Sequence, residues 1–168
     1  MATQVQYDFF HQLFELEEQR YSNLQAKAKF FMGVASAVVA AVTLKLPDVL
    51  TFVQRFRINV SIVILIGIGM MVALVCSIAA MTIAHYDRVA DPEKIIRSFG
   101  EDPPTDIDFL DDRIVDYAVA TNVNFKINNR TAVYLQVAGW AVLTSTLAQV
   151  AVLLWAMATE VGVWPRNG

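Results

Sequence analysis

The apolar stretch NVSIVILIGIGMMVALVCSIAAMTIA, residues 59–84, decides the fold class of this chain. It contains 26 residues and no Asp, Glu, Lys or Arg. As a helix it would measure roughly 39 Å, at about 1.5 Å per residue, against about 30 Å for the hydrocarbon core of a bilayer. A soluble helix is rarely apolar on every face over such a length. The stretch therefore predicts a membrane-spanning helix.

The composition agrees with an integral membrane protein. Of the 168 residues, 56% are hydrophobic and only 17% are charged, whereas average soluble domains carry about 25% charged residues. The formal net charge is −3, and no basic stripe is present to neutralise phosphates. We therefore expect no nucleic-acid polymer among the partners of this protein.

Two further apolar runs extend the prediction to the whole chain. Both lack Asp and Glu, and the last one has no formal charge over 29 residues. We predict an all-α integral membrane protein with three transmembrane helices and long cytoplasmic helical extensions. The predicted segments are an amphipathic helix (1–29), span 1 (30–46), a short extracytoplasmic turn (47–58), span 2 (59–84), a cytoplasmic helical insert (85–130), span 3 (131–159) and a tail (160–168).

The amphipathic helix carries a stripe at three- and four-residue spacing that is apolar except at Glu17. No Pro or Gly separates this helix from span 1, so we expect one continuous helix, stopped by Pro47 and Asp48. Its stripe consists of Phe10, Leu13, Phe14, Glu17, Tyr21, Leu24 and Ala28.

A second long helix is predicted in the insert, beginning at a cap on Thr105 or Asp106. It meets no breaker before span 3 and should continue into it. Its predicted apolar face consists of Leu110, Ile114, Tyr117, Ala118, Thr121 and Phe125.

Small residues recur at about every fourth position in the first two spans. In lipid, such stripes allow helix backbones to approach closely. Because a short turn joins these spans, we expect an antiparallel hairpin packed small face to small face. The predicted helix-packing residues are Gly33, Ala37 and Ala41 in span 1 and Gly69, Ala73 and Ser77 in span 2.

The distribution of Lys and Arg predicts the orientation. Nine cations lie in the N-terminal helix and the insert, and four lie on the opposite side of the predicted membrane. The positive-inside rule then places the N-terminus and the insert in the cytoplasm.

Catalytic and phosphate-loop motifs are absent from the sequence, so we expect neither an enzyme nor a cofactor nor a metal site. Thr144, Ser145, Thr146 and Gln149 are candidates to line a pore, although hydrogen bonding between helices explains them equally well. Three helices leave no lumen, so a pore would require several copies. Candidate phosphate contacts are Arg88, Lys94 and Arg97, for which proximity to anionic lipid is the alternative explanation.

The layout resembles a known group of proteins through two short motifs. Residues 25–29, QAKAK, precede span 1, and Tyr117, Asn122, Lys126 and Arg130 precede span 3. This organisation is similar to that of the small bacterial membrane effectors of nucleotide-signalling antiphage defence, the SLATT-type and Pycsar-type transmembrane families. The resemblance implies a homo-oligomer of the bacterial inner membrane that permeabilises or depolarises it. The trigger would be a cyclic nucleotide or a soluble signalling protein sensed by the cytoplasmic part.

A second function remains open on the same residues. The chain would then be a non-conducting membrane scaffold or accessory subunit, with cytoplasmic helices that dock a soluble partner. Membrane lipid is a partner in both interpretations.

Overall fold

The computed structural model describes residues 3–83, 97 and 105–161, and every regular element within them is helical. The described elements are α1 (Gln4–Leu44), α2 (Leu46–Arg55), α3 (Val60–Thr82) and α4 (Asp106–Glu160). The all-α prediction is confirmed. Three helices, α1, α3 and α4, are long and apolar enough to span a membrane.

Local capping explains where three of the helices begin. Gln6 donates its backbone N–H to Thr3 Oγ1 (3.3 Å) and its Oε1 accepts the N–H of Thr3 (3.1 Å), which forms a reciprocal capping box. Asn59 Oδ1 accepts the N–H of Ser61 at the start of α3. At α4 the cap is Thr105, whose Oγ1 accepts the N–H of Asp108 (3.3 Å). Of the two predicted caps for that helix, the structure shows Thr105.

The predicted continuity of the two long helices is confirmed, but the predicted turn is not. Residues 47–58 contain most of α2, an amphipathic helix of ten residues. Pro47 lies in the first turn of α2, where its missing N–H leaves no hydrogen bond unmade, so it starts this helix and does not end α1. The chain then reverses at Arg57, which has a left-handed backbone conformation with a φ of 50°.

The described residues fall into two compact units. Unit 1 comprises Met1–Ala26 and Thr82–Ala132, and unit 2 comprises Lys27–Met81 and Val133–Gly168. Unit 1 therefore pairs the first part of α1 with the first part of α4. Unit 2 contains the three apolar segments together with α2.

Unit 2 is held together by small side chains. Ala35 of α1, Ala73 of α3 and Ala138 of α4 form one cluster, and all three are 0% exposed. On α3, Gly69 lies against Ser145 and the backbone carbonyl of Ala141, both of α4. The α3 stripe is therefore a packing face, as predicted, but at Gly69 its partner is α4.

The predicted small-residue stripe on α1 does not face the core of unit 2. Gly33, Ala37 and Ala41 are exposed, and a Cβ added at Gly33 would meet nothing within 4 Å. The α1 residues predicted for the hairpin are thus wrong within one chain: α1 contributes Ala35, two residues beyond Gly33, to the contact with Ala73 of α3.

The outer surface of α3 is strongly apolar. Nine large aliphatic side chains of this helix are 39–66% exposed, among them Leu65 at 66%. Water is a poor solvent for so large a surface. The list is Val60, Ile62, Ile64, Leu65, Ile68, Met71, Val72, Val75 and Ile78.

Candidate functional site

Unit 1 is a parallel pair of helices. Tyr7 of α1 contacts Tyr117 of α4, and ten residues later Glu17 contacts Asn128. Both partners advance toward the C-terminus together, so the two helices run in the same direction. Buried and half-buried residues recur every three or four positions on both helices, which is the pattern of a coiled-coil seam.

A polar layer interrupts this seam. We define the polar layer as Glu17 and Arg20 of α1 with Asn128 and Asn129 of α4. Asn128 Nδ2 donates to the backbone carbonyl of Glu17 (3.0 Å) and to its Oε2 (2.7 Å). Arg20 forms an ion pair with Glu17 (3.5 Å) and donates to Asn129 Oδ1 (2.7 Å). The guanidinium of Arg20 also lies 5.7 Å from the centroid of the Phe125 ring.

Two members of the polar layer, Asn128 and Glu17, are largely buried, whereas the side chain of Arg20 is 37% exposed. Asn128 and the neighbouring Asn124 are both 0% exposed, and Thr131 is 1% exposed. The Glu17 side chain is 15% exposed. A buried Asn in a coiled coil stabilises one register at the expense of total stability. Contacts of this kind favour one register of α1 against α4.

Several buried polar atoms of unit 1 have no hydrogen-bond partner. An unpaired buried polar group costs about 1–3 kcal/mol of stability. Within the described part of the chain, every such side-chain atom belongs to unit 1. The set is Gln25 Nε2, Arg113 Nε, Thr121 Oγ1, Asn128 Oδ1 and Thr131 Oγ1.

An aromatic cluster lies on the same pair of helices. The ring of Tyr117 meets Tyr7, His11 and Phe14 edge-on, with centroids 5.7, 5.2 and 5.5 Å away. Burial, together with a hydrogen bond to Tyr7, raises the pKa of Tyr117 from 10.0 to about 12. This cluster keeps a phenol neutral and adds apolar area to the seam.

Arg113 is an unusual residue in the same seam. It is 9% exposed, and its guanidinium pairs with Asp116 at 2.6 Å, one turn along α4. It also lies 5.8 Å from the centroid of Phe109. A buried cation needs such a carboxylate because an unpaired charge in this position would be costly.

The predicted pore residues do not share one environment. Ser145 is buried against Gly69, so in a single chain it is a packing residue. Thr144 is exposed and donates its hydroxyl to the carbonyl of Trp140 (2.8 Å), while Thr146 is exposed and Gln149 is half-buried. Their role in a pore stays a prediction.

Most of the predicted phosphate contacts lie outside the residues that the structure describes. Arg88 and Lys94 lie outside the described residues, and Arg97 is a single exposed helical residue between undescribed ones. Among the residues that the structure describes, no three His, Cys, Asp or Glu side chains come together to hold a metal ion.

Sequence reasoning missed the polar layer, although a signal for it was present. Glu17 is the one charged residue in the predicted α1 stripe, and all seven stripe residues are buried or half-buried, as predicted. On α4, five of the six residues of the predicted apolar face are half-buried, and Phe125 is the exception. Phe125 is 48% exposed, and the most deeply buried residues of this part of α4 include the polar Asn124, Asn128 and Thr131.

Comparison with known proteins identified no relative of this chain. No family model, no curated protein and no solved structure matches this chain. Any statement about function therefore depends on the two units themselves.

Proposed function

We propose that this chain is a multi-pass protein of the bacterial inner membrane that forms a homo-oligomeric effector and permeabilises or depolarises the membrane when unit 1 is rearranged. The apolar surface of α3 and the three helices of sufficient length support the membrane location. The observation that carries the triggering step is the set of unpaired buried polar atoms in unit 1.

The energetic argument concerns how easily unit 1 can rearrange. Each buried polar atom that lacks a partner makes the described arrangement less stable, by about 1–3 kcal/mol, than an arrangement in which that atom is hydrogen-bonded. A ligand or partner that supplies hydrogen bonds to these groups in a second arrangement shifts the population toward it. The described arrangement is then the resting state. The trigger is a cyclic nucleotide or a soluble signalling protein.

The packing of unit 2 supports the need for several copies. Ala35, Ala73 and Ala138 meet without exposed surface, which leaves no room for water among the three helices at that level. Ions would pass between copies, along a surface to which Thr144 and Gln149 contribute.

Ion flux from liposomes tests this proposal. The full chain is reconstituted in vesicles of phosphatidylethanolamine and phosphatidylglycerol that hold a potassium gradient, and the four 3′,5′-cyclic mononucleotides are added in turn. Glu17→Ala removes the carboxylate of the polar layer and should conduct without a trigger. Glu18→Ala, one residue on and exposed, is the matched control and should behave like the parent chain.

A channel also predicts a specific effect of Gln149→Leu. That variant should change the flux of the Glu17→Ala background while its melting temperature stays close to that of the background. Unchanged flux would remove Gln149 from the conducting path.

The scaffold function has one observation in its favour. The hydroxyls of Ser77, Thr144 and Thr159 donate to carbonyls of their own helices, at 2.7, 2.8 and 2.7 Å, so they need neither water nor ions. If Glu17→Ala vesicles stay tight and no cyclic mononucleotide opens the parent protein, the scaffold explains the molecule better than the channel.

A further inference from the structure

Four cations of this chain have no partner within the part of the protein that the structure describes. Lys27, Lys29, Lys126 and Arg130 are exposed and make no hydrogen bond, ion pair or ring contact within residues 3–83, 97 and 105–161. Every other described Lys or Arg has such a partner.

The position of these cations along the chain is also shared. Lys27 and Lys29 immediately precede the first apolar run, and Lys126 and Arg130 immediately precede the last one. Lys126 and Arg130 are four residues apart on α4, so they lie on one helix face about 6 Å apart along the axis. Tyr134 follows one turn later, and Tyr favours the headgroup level of a bilayer.

Carboxylates are missing from these parts of the helices. The sequence contains no Asp or Glu from residue 19 to residue 47 or from residue 117 to residue 159. On its own helix, each cation is therefore at least nine residues, roughly 13 Å, from the nearest carboxylate. No anion on its own helix competes for these side chains.

The opposite ends of the apolar runs have the reverse arrangement. Lys45, which follows the first run, pairs with Asp48 at 3.4 Å. Arg55 of α2 pairs with Glu160, the last residue of α4, at 2.5 Å. Lys45 and Arg55 are thus paired with carboxylates of the chain itself, whereas Lys27, Lys29, Lys126 and Arg130 have no such partner among the described residues.

We infer that Lys27, Lys29, Lys126 and Arg130 bind the phosphates of anionic phospholipids in the leaflet where the first and last apolar runs begin. The occupant is a lipid headgroup because the four side chains stand at the boundary between polar and apolar sequence, where lipid phosphates lie. Each ammonium or guanidinium provides a charge-assisted hydrogen bond to a phosphate oxygen. This inference depends on the membrane insertion proposed above, but it requires neither conduction nor a trigger.

Lipid titration of the purified full chain tests the inference. The protein is held in a neutral detergent, phosphatidylglycerol or phosphatidylcholine is added, and bound lipids are counted by native mass spectrometry. Phosphatidylglycerol should bind more tightly than phosphatidylcholine, and its advantage should shrink as salt increases, because salt screens exposed charges.

Two double variants and one matched control assign the binding to the named residues. Lys27→Gln/Lys29→Gln and Lys126→Gln/Arg130→Gln should each weaken phosphatidylglycerol binding by about fivefold per cation removed. Lys45→Gln/Arg55→Gln removes the same number of cations, both of them paired within the chain, and should change binding less than twofold. Charge-conserving Lys27→Arg/Lys29→Arg should retain the affinity, which separates loss of charge from loss of fold.

Three outcomes of these experiments would contradict the inference. Equal binding of the two lipids, or equal losses in the control and test variants, would overturn the inference. Competition by soluble glycerol phosphate at the same concentration as lipid would assign the cations to a free phosphate ligand and would also overturn it. Membrane insertion is checked separately by protease protection in vesicles, so its failure is distinguishable from a failure of lipid binding.

Discussion

Asn128 of α4 donates its amide to both the backbone carbonyl and the carboxylate of Glu17 on α1, at 3.0 and 2.7 Å. These residues are 111 positions apart in the chain. One side chain thus satisfies a backbone and a side-chain acceptor of the partner helix at once. Sliding either helix by one turn would break both hydrogen bonds, so this pair fixes the register of unit 1.

Replacement of Glu17 by Ala should destabilise the protein. It leaves the buried Asn128 amide without its carboxylate partner, and a hydrogen bond to a charged group contributes about 1.5–3 kcal/mol. Thermal melting of the helical circular dichroism signal in detergent measures the change. Glu18→Ala, on the exposed face, should stay within about 0.5 kcal/mol of the parent chain. Equal effects of the two variants would contradict the role of the polar layer.

Removal of an unpaired hydroxyl should have the opposite sign. Thr131 is 1% exposed and its Oγ1 has no partner, so Thr131→Val should raise the stability of the protein by about 1 kcal/mol. Thr159→Val is the matched substitution, because Thr159 donates its hydroxyl to the Ala156 carbonyl at 2.7 Å. Thr159→Val should therefore not raise the stability of the protein. A melting temperature that falls for Thr131→Val would show that its hydroxyl is satisfied in solution.

The two glycines in the middle of α3 should respond differently to the same substitution. A Cβ on Gly69 would lie 2.1 Å from Ser145 Oγ, whereas a Cβ on Gly67 meets nothing within 4 Å. Gly69→Leu should therefore cost about 1–3 kcal/mol through overpacking, and Gly67→Leu should be neutral or slightly favourable.

A second variant identifies the contact at Gly69. In Gly69→Ala/Ser145→Ala the Oγ is gone and the nearest remaining atom, the Cβ of residue 145, is 3.5 Å away, so stability should recover relative to Gly69→Ala alone. No recovery would mean that the penalty arises elsewhere.

The backbone at Arg57 supports a prediction about the reversal between α2 and α3. A φ of 50° is unfavourable for a residue with a Cβ by about 1–2 kcal/mol. Melting temperatures should therefore follow the order Gly above Arg above Val at position 57, since a β-branched side chain tolerates this region least. Arg57→Val above the parent chain would refute the left-handed conformation.

The phenol of Tyr117 makes the stability of unit 1 depend on alkaline pH. Its pKa is about 12 in the folded protein and about 10 in the unfolded chain. Between these values the folded state binds the proton more tightly, so this contribution is complete below pH 10 and is lost as the pH rises through 12.

Absorbance near 295 nm, as the difference between the parent chain and Tyr117→Phe, follows this ionisation directly. Tyr7→Phe removes the hydrogen bond that raises the pKa and should shift the titration of Tyr117 toward lower pH. An unchanged titration would exclude Tyr7 as a cause.

The sequence alone is sufficient to predict which segments form helices, but not which helices pack against each other. Periodicity and the absence of breakers predicted that α1 and α4 would run unbroken, because local hydrogen bonding and apolar runs determine continuity. The sequence predicts that Pro47 ends α1, but the same fixed φ also suits the first turn of a new helix. Which of these applies depends on the residues that follow, and Val53 of α2 is buried within unit 2.

The polar contacts between helices could not be predicted from the sequence, for a physical reason. Glu17 with Asn128 and Arg55 with Glu160 join residues 111 and 105 positions apart. A hydrophobic pattern identifies faces by their apolar members, so a face built on Asn124 and Asn128 is assigned to solvent. Only the structure shows that the polar residues lie on the buried side.

The parallel pairing of α1 with α4 also has a consequence for biosynthesis. The hydrogen bonds and ring contacts described above between the two helices of unit 1 all join residues more than 100 positions apart, as the separation of Glu17 and Asn128 illustrates. At about 5–20 residues per second, roughly 6–22 seconds of translation separate the two helices of this pair. During that interval the seam of α1 has no partner from its own chain.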